Sequence, residues 1–294
     1  MGCDTSKIKI SYEKNNKDNE IEIGLNKVEK KTIKLNKIKV NKNSELLGNL
    51  NIVIFSPDDI IILKQAPQLR RKFLDILISQ LKPNYVHILS EYNKVLEQRN
   101  AVLKSKKTDT IDIWNEQLAN LTEKIYNYRK IYIDKLGEKM SVIHPMVTND
   151  KENIKIVYKT KFKNKEDFIN LLENNFQLDL FRGYTSVGPH RDDIEIYINE
   201  NLLNIYGSQG QHRTAILSLK IAEMEILKEE TLENPVLLLD DVTSELDEHR
   251  VMSIFDVVKD YQVLITCTDI NAVLKHDCLT KNIKLYNISN GHVI

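Results

Sequence analysis

The sequence predicts an α/β protein: a mixed sheet plus a β-meander flanked by helices, with an all-helical antiparallel hairpin inserted as an arm. Three observations predict it. The run VLLL at 236–239 is apolar without alternation, the pattern of a strand buried on both faces between helices, and Asp240 and Asp241 end it. Residues 7–63 alternate apolar with polar between short polar turns, as antiparallel strands with one wet face do. Residues 85–143 space their apolar side chains alternately by four and three in two stretches, which predicts two long helices packed on each other.

In chain order, Ile8, Ile10 and Tyr12 share one strand face, and Ile21, Ile23 and Leu25 the next. Ile33 and Leu35, then Ile38 and Val40, continue the meander. Its lysines (Lys27, Lys30, Lys31, Lys34, Lys37, Lys39) read as the wet face or as a DNA-contacting one. The run at 50–55 is more continuously apolar and fits a central strand, closed by Ser56, Pro57, Asp58 and Asp59. Pro67 opens the helical region, and Pro83 sits where a helix would begin. Tyr85, Leu89, Tyr92, Leu96, Arg99 and Leu103 form the first heptad stripe. After the polar break 104–110, Trp114, Leu118, Leu121, Ile125, Tyr128, Tyr132, Leu136, Met140 and Ile143 form the second. A strand at 154–158, a short amphipathic helix within 165–180 and a strand at 194–198 follow, the last after the Gly- and Pro-broken stretch GYTSVGPHRDD at 183–193. His190 there has no Cys or second His at ligand spacing, so no metal site is expected. The expected division is 1–66 for a β-rich head part, 67–181 for the arm with its strand–helix return, and 182–294 for the rest of the head.

Lys+Arg and Asp+Glu are both 42, so net charge argues neither for nor against a nucleic-acid partner. Clustering does more. Residues 64–107 carry ten Lys or Arg against Asp75, Glu91 and Glu97, and Arg70, Arg71 and Lys72 are the densest part. That is the best electrostatic candidate for contact with a phosphate backbone, with a solvated helix surface as the alternative. Cys3, Cys267 and Cys278 are odd in number and lack CxxC spacing, which fits a reducing cytoplasmic compartment. No apolar run approaches the roughly 20 residues that span a bilayer.

Two stretches carry chemistry. An acid pair directly after a dry strand is costly unless compensated, and a divalent cation is the usual compensation. Gly207, Ser208 and Gly210 are small residues ahead of a helical pattern at Ile216, Leu219, Ile221, Met224 and Leu227, which gives phosphate-binding geometry at a helix N-terminus. Ser208 and Gln211 also fit a capping box, as do Ser244 and Asp247.

SQGQHRT at 208–214 resembles the signature loop of ABC-type ATPases in the RecF family, and LLLDDVTSELD at 237–247 is similar to their Walker B strand joined to the D-loop. FSPDDIIILKQAPQLRRKFLD, YVHILSEYNKVLEQRNAVLK and GYTSVGPHRDD resemble the same family in the same order, over about Leu46 to Asp269. The resemblance implies an ABC-type ATPase head with a short arm in place of the long coiled coil of SMC and Rad50 proteins. It implies a slow, ATP-dependent homodimer acting in DNA replication, recombination, repair and the SOS response on single- and double-stranded DNA, with the mediator proteins RecR and RecO as partners. Residue by residue, Asp240 would hold Mg²⁺ and Asp241 would orient the attacking water. Ser208, Gln209, Gly210 and Gln211 would cap ATP held by the other subunit, with Ser244, Leu246 and Asp247 at the seam. Ser56 to Asp59 would be a nucleotide sensor or a plain strand-ending turn. One feature departs: no G-x-x-x-x-G-K-[ST] occurs. The expectation is an N-terminally truncated member that by itself binds ATP poorly and hydrolyses none. A non-enzymatic DNA or protein adaptor and an SMC-like structural head are the alternatives, and the short heptad region disfavours the second.

Overall fold

The computed structural model describes residues 4–28, 31–149, 151–241, 252, 258–268 and 283–294. Strands β1 (Thr5–Lys14), β2 (Lys17–Asn26), β3 (Thr32–Leu35) and β4 (Ile38–Lys39) form the expected antiparallel meander in sequential order. Its two-residue turns, Asn15–Asn16 and Asn36–Lys37, sit at positive φ, which matches the twist of the flanking strands and suits Asn. Ile21 and Ile33 are buried, while Ile8, Ile10 and Ile38 are exposed. Lys7 and Lys9 pair across the sheet with Glu22 and Glu20 at 2.7 and 2.6 Å, and Lys34 also reaches Glu22.

β5 (Ile52–Phe55) leads through a 3₁₀ turn to α1 (Ile60–Lys64) and α2 (Pro67–Leu81). α3 (Pro83–Ser105) and α4 (Ile111–Thr148) make the antiparallel hairpin. Pro83 stands in the first turn of α3, where its missing N–H removes nothing. Both stripes are core: Tyr85, Tyr92 and Leu103 on α3, and Leu118, Ile125, Tyr132, Leu136 and Met140 on α4, are buried. Then come β6 (Ile154–Lys159), α5 (Lys165–Asn174), α6 (Phe176–Arg182), β7 (Asp193–Ile198), β8 (Asn201–Leu202) and α7 (Leu203–Tyr206). β6, β7 and β8 form an antiparallel sheet, so residues on either side of the expected 181/182 division share one sheet. α4 lies against β6 at Gly137, where a Cβ would come 3.0 Å from Ile156 Cγ2.

α8 (Gln209–Thr231) is the central helix, with Leu217, Ile221, Met224 and Leu227 buried and α4, α1 and β5 packed around it. β9 (Val236–Asp240) runs parallel to β5 on one side and β10 (Val263–Thr266) on the other. A final hairpin joins β11 (Ile288–Ser289) and β12 (His292–Val293). One expectation is corrected in this parallel sheet. Val53, Phe55, Leu237 and Leu239 are buried, but on the opposite face Ile54 is 48% and Leu264 53% exposed. Apolarity on both faces of a strand shows what the strand tolerates, and coverage depends on which elements pack there.

The stretch GYTSVGPHRDD is held against α3 and α4 through buried polar contacts. Arg99 and Asp179, both fully buried, pair at 3.0 Å. Arg99 also donates to Thr185 and Asn115, and Asp179 accepts from the Ser186 backbone and hydroxyl. Arg129 of α4 grips Asp75 with two N–H groups and donates to the Pro189 carbonyl. The Tyr158 hydroxyl donates to Asp192 at 2.6 Å, and His190 Nδ1 shares a 2.6 Å hydrogen bond with the Tyr92 hydroxyl. Most of these charges and dipoles satisfy one another inside the protein, as buried polar groups tend to, while Arg99 Nη2 is buried without a hydrogen-bond partner.

Candidate functional site

β5, β9 and β10 end together. Phe55 pairs with Leu239, and Asp240 with Thr266, so Ser56, Asp240 and Thr266 stand along the carboxyl edge of one parallel sheet. That edge is where open α/β sheets bind ligands. The Thr266 hydroxyl donates to Asp240 Oδ1 at 2.6 Å and orients the carboxylate, which is exposed. The Asp241 amide donates to the Thr266 carbonyl and hydroxyl, both at 3.1 Å, and this cross-strand hold sets Asp241 at φ 47. Asp adopts the left-handed region more readily than most residues. Sequence reading missed Thr266 as the partner of the acid pair; only strand register puts it there.

The donor set suits Mg²⁺: one exposed carboxylate with a neighbouring hydroxyl, the remaining ligands being left to phosphates and water. Among the described residues no group of three or more His, Cys, Asp or Glu could hold a metal by protein ligands alone.

The N-terminus of α8 is a capping box. Ser208 Oγ accepts from the Gln211 amide, and Gln211 Oε1 from the Ser208 amide. Ser208 and Gln209 are exposed, so this end faces outward with the positive pole of a 23-residue helix behind it. Gly207 has another role than the expected approach to a ligand. A Cβ there would fall 2.5 Å from the Leu203 carbonyl oxygen and 2.9 Å from His212 Cε1, so the protein itself fills that space. Gly207→Ala should therefore displace the turn before Ser208 and lower stability by about 1–3 kcal/mol, read by thermal unfolding.

Between the Ser56 turn and the first turns of α8 lies a cavity of about 130 Å³, lined by Ser56, Asp59, Lys64, Gln209, Arg213 and Lys220 among others. Ser56 and Asp59 form a second capping box. Lys220, 7% exposed, pairs with Glu223 at 3.1 Å and reaches Asp59 at 4.0 Å, tying the turn to α8. Burial pushes the carboxyls of Asp59 and Glu223 up, and Lys220 opposes this in both.

The basic cluster at 70–72 is corrected. Arg70 is 5% exposed and makes a two-pronged bond to Asp193 at 2.8 and 2.9 Å, with further bonds to the Ile62 and Gln65 carbonyls. Arg71 donates to the Asp192 carbonyl. Their guanidiniums hold α2 against the start of β7, because burial of an Arg demands such partners. Of the three, only Lys72 is exposed. Ser244, Leu246 and Asp247 lie outside the described residues. Among the described residues no helix is long and apolar enough to cross a membrane.

No protein-family model matches the chain. It is 43% identical over 297 residues to the DNA replication and repair protein RecF of Clostridium beijerinckii, covering 99% of this chain and 80% of that one. It is 44% identical over 300 residues to the RecF of Clostridium tetani, covering 98% and 81%. Its structure is similar to that of the recombination mediator protein RecF-ATPrS in the RecFOR pathway, with TM-score 0.85, 36% identity and coverage of 100% and 81%. An SMC head bound to the C-terminal winged-helix domain of ScpA shares the fold at TM-score 0.51 and 14% identity, over 92% of this chain and 68% of that one.

Proposed function

The chain belongs to the RecF family of DNA replication and repair proteins, and from that premise we propose that it is one half of a nucleotide-gated pair that binds DNA. One observation carries the reading: Asp240, steadied by Thr266, stands at the open edge of the sheet while the Ser208 end of α8 faces away from the core. A nucleotide shared by two molecules uses both features, one from each. Asp240 would hold Mg²⁺, which neutralises phosphate charge when bound, and Asp241 would orient water. Ser208, Gln209, Gly210 and Gln211 would contact the γ-phosphate of a nucleotide on the other molecule through backbone amides and side chains. Ser244, Leu246 and Asp247 would meet the partner. The sequence contains no G-x-x-x-x-G-K-[ST] to cradle a β-phosphate. A second reading is a DNA or protein adaptor without ATPase activity. In either case RecR, RecO and DNA would be the partners, in the cytoplasm.

The two readings separate in one measurement. This chain is mixed with a family member that carries a P-loop, and association is followed by sedimentation velocity with and without Mg·ATP. The nucleotide-gated reading expects ATP to strengthen association at least about tenfold, and Ser208→Arg to abolish the gain. Association indifferent to ATP would leave only the adaptor.

A further inference from the structure

The buried contacts of GYTSVGPHRDD hold a short segment in place, and that segment turns its largest side chains outward. Phe181, in the last turn of α6, is 87% exposed and so has no packing role. Tyr184 is 38% exposed, and the Arg191 guanidinium lies over its ring at 5.3 Å. Gly183, at φ 71, turns the chain between them so closely to α3 that a Cβ would meet Lys104 Cγ at 3.1 Å. The end of α3 therefore adjoins the rings and brings Lys104, Lys106 and Lys107, all exposed. Among the described residues none of Lys104, Lys106, Lys107, Arg182 and Arg191 makes an ion pair with a carboxylate. The meander lysines Lys7, Lys9 and Lys34, by contrast, are paired. Asp109 is the one acid within 104–110, and Asp179 is buried on Arg99.

We propose that this segment and the end of α3 form a contact surface for single-stranded nucleic acid. Bases stack on Phe181 and on the Tyr184–Arg191 pair, while Lys104, Lys106 and Lys107 follow the phosphates. Exposed rings set among unpaired cations are the chemistry of such a surface, because every base has a face to stack and the backbone is uniformly anionic. A duplex keeps its bases stacked on one another and has no use for Phe181. The anchoring of Thr185, Ser186 and His190 fixes the rings beforehand, so little ordering remains to be done on binding. The proposal rests on the reading of the chain as DNA-binding and locates one surface for it; the cluster at 70–72 is replaced by one that solvent can reach.

The test uses the full chain without nucleotide and a fluorescent oligothymidylate of about 16 nucleotides, followed by anisotropy across a salt series. Phe181→Ala with Tyr184→Ala should weaken binding about tenfold or more. Lys104→Gln, Lys106→Gln and Lys107→Gln together should flatten the slope of log affinity against log salt by about 2. Thermal unfolding should match the parent, because all these side chains are exposed. Lys161→Gln with Lys163→Gln, exposed lysines outside this surface, should change neither quantity. Parent-like affinity in the ring variant overturns the proposal and leaves DNA binding standing, as does an equal loss in the lysine control. A parent chain that binds no oligonucleotide at any salt overturns the proposal and the DNA-binding reading together.

Discussion

Arg99→Met should lower the unfolding free energy by about 3–5 kcal/mol, the loss expected when one partner of a buried ion pair is removed. Arg99 and Asp179 are both fully buried, so the variant leaves the Asp179 carboxylate uncompensated, with only the Ser186 amide and hydroxyl as donors. The pair as such is not the source of the stability. Desolvating two charges offsets most of their attraction, so the double variant Arg99→Met with Asp179→Leu should recover much of the loss. Burial alone pulls the guanidinium pKa down, and Asp179 is what opposes it. Urea denaturation of both single variants and the double variant at neutral pH gives the coupling. A loss below about 1 kcal/mol in Arg99→Met would mean that water reaches the site and screens the pair.

The second large effect depends on pH. Burial pushes the Asp192 carboxyl up to about 6, against the Tyr158 hydroxyl and Arg129, while burial holds the His190 imidazole down at about 4, against the Thr185 carbonyl. The signs are opposite. Folded Asp192 keeps its proton where the unfolded chain has released it, so its contribution is complete below about 4 and lost as pH rises through about 6. Folded His190 refuses a proton that the unfolded chain accepts, so its contribution is complete above about 6.5 and lost as pH falls through about 4. Each amounts to about 3 kcal/mol, and in the parent the two nearly cancel. Asp192→Asn removes one arm of the balance and keeps an acceptor for Tyr158. Relative to the parent, the variant should therefore gain about 3 kcal/mol between pH 4 and pH 7, measured as the difference between paired denaturation curves. Parallel curves would show that Asp192 titrates as an exposed carboxylate.

Periodicity was enough for the meander, the hairpin and the strands at β6, β7 and β9, because each buries a face that repeats along the chain. The heptad stripe even includes Arg99, a charge in an apolar register, and the structure buries it there with Asp179. Periodicity failed where the partner is distant in sequence. Arg70 and Arg71 belonged to a basic run by composition, yet Asp193 and the Asp192 carbonyl, more than a hundred residues on, claim both. Gly207 suited a ligand-approaching glycine, and Leu203 and His212 occupy the space instead.

The acid pair after β9 and the small residues before α8 were legible in the sequence alone, because local composition governs where a strand must stop and how a helix end is capped. Which groups meet them was decided only by the folded chain. Strand register set Thr266 beside Asp240, and Lys220 bridges α8 to the Ser56 turn. Burial of Arg70 and half-burial of Arg71 leave the exposed cations of the 64–107 stretch to its lysines, among them Lys72 and those at the end of α3, beside the Phe181 turn. The reason is physical: a side chain's chemistry is written in its residue type, but whether its charge is free or already taken depends on neighbours that only tertiary packing supplies.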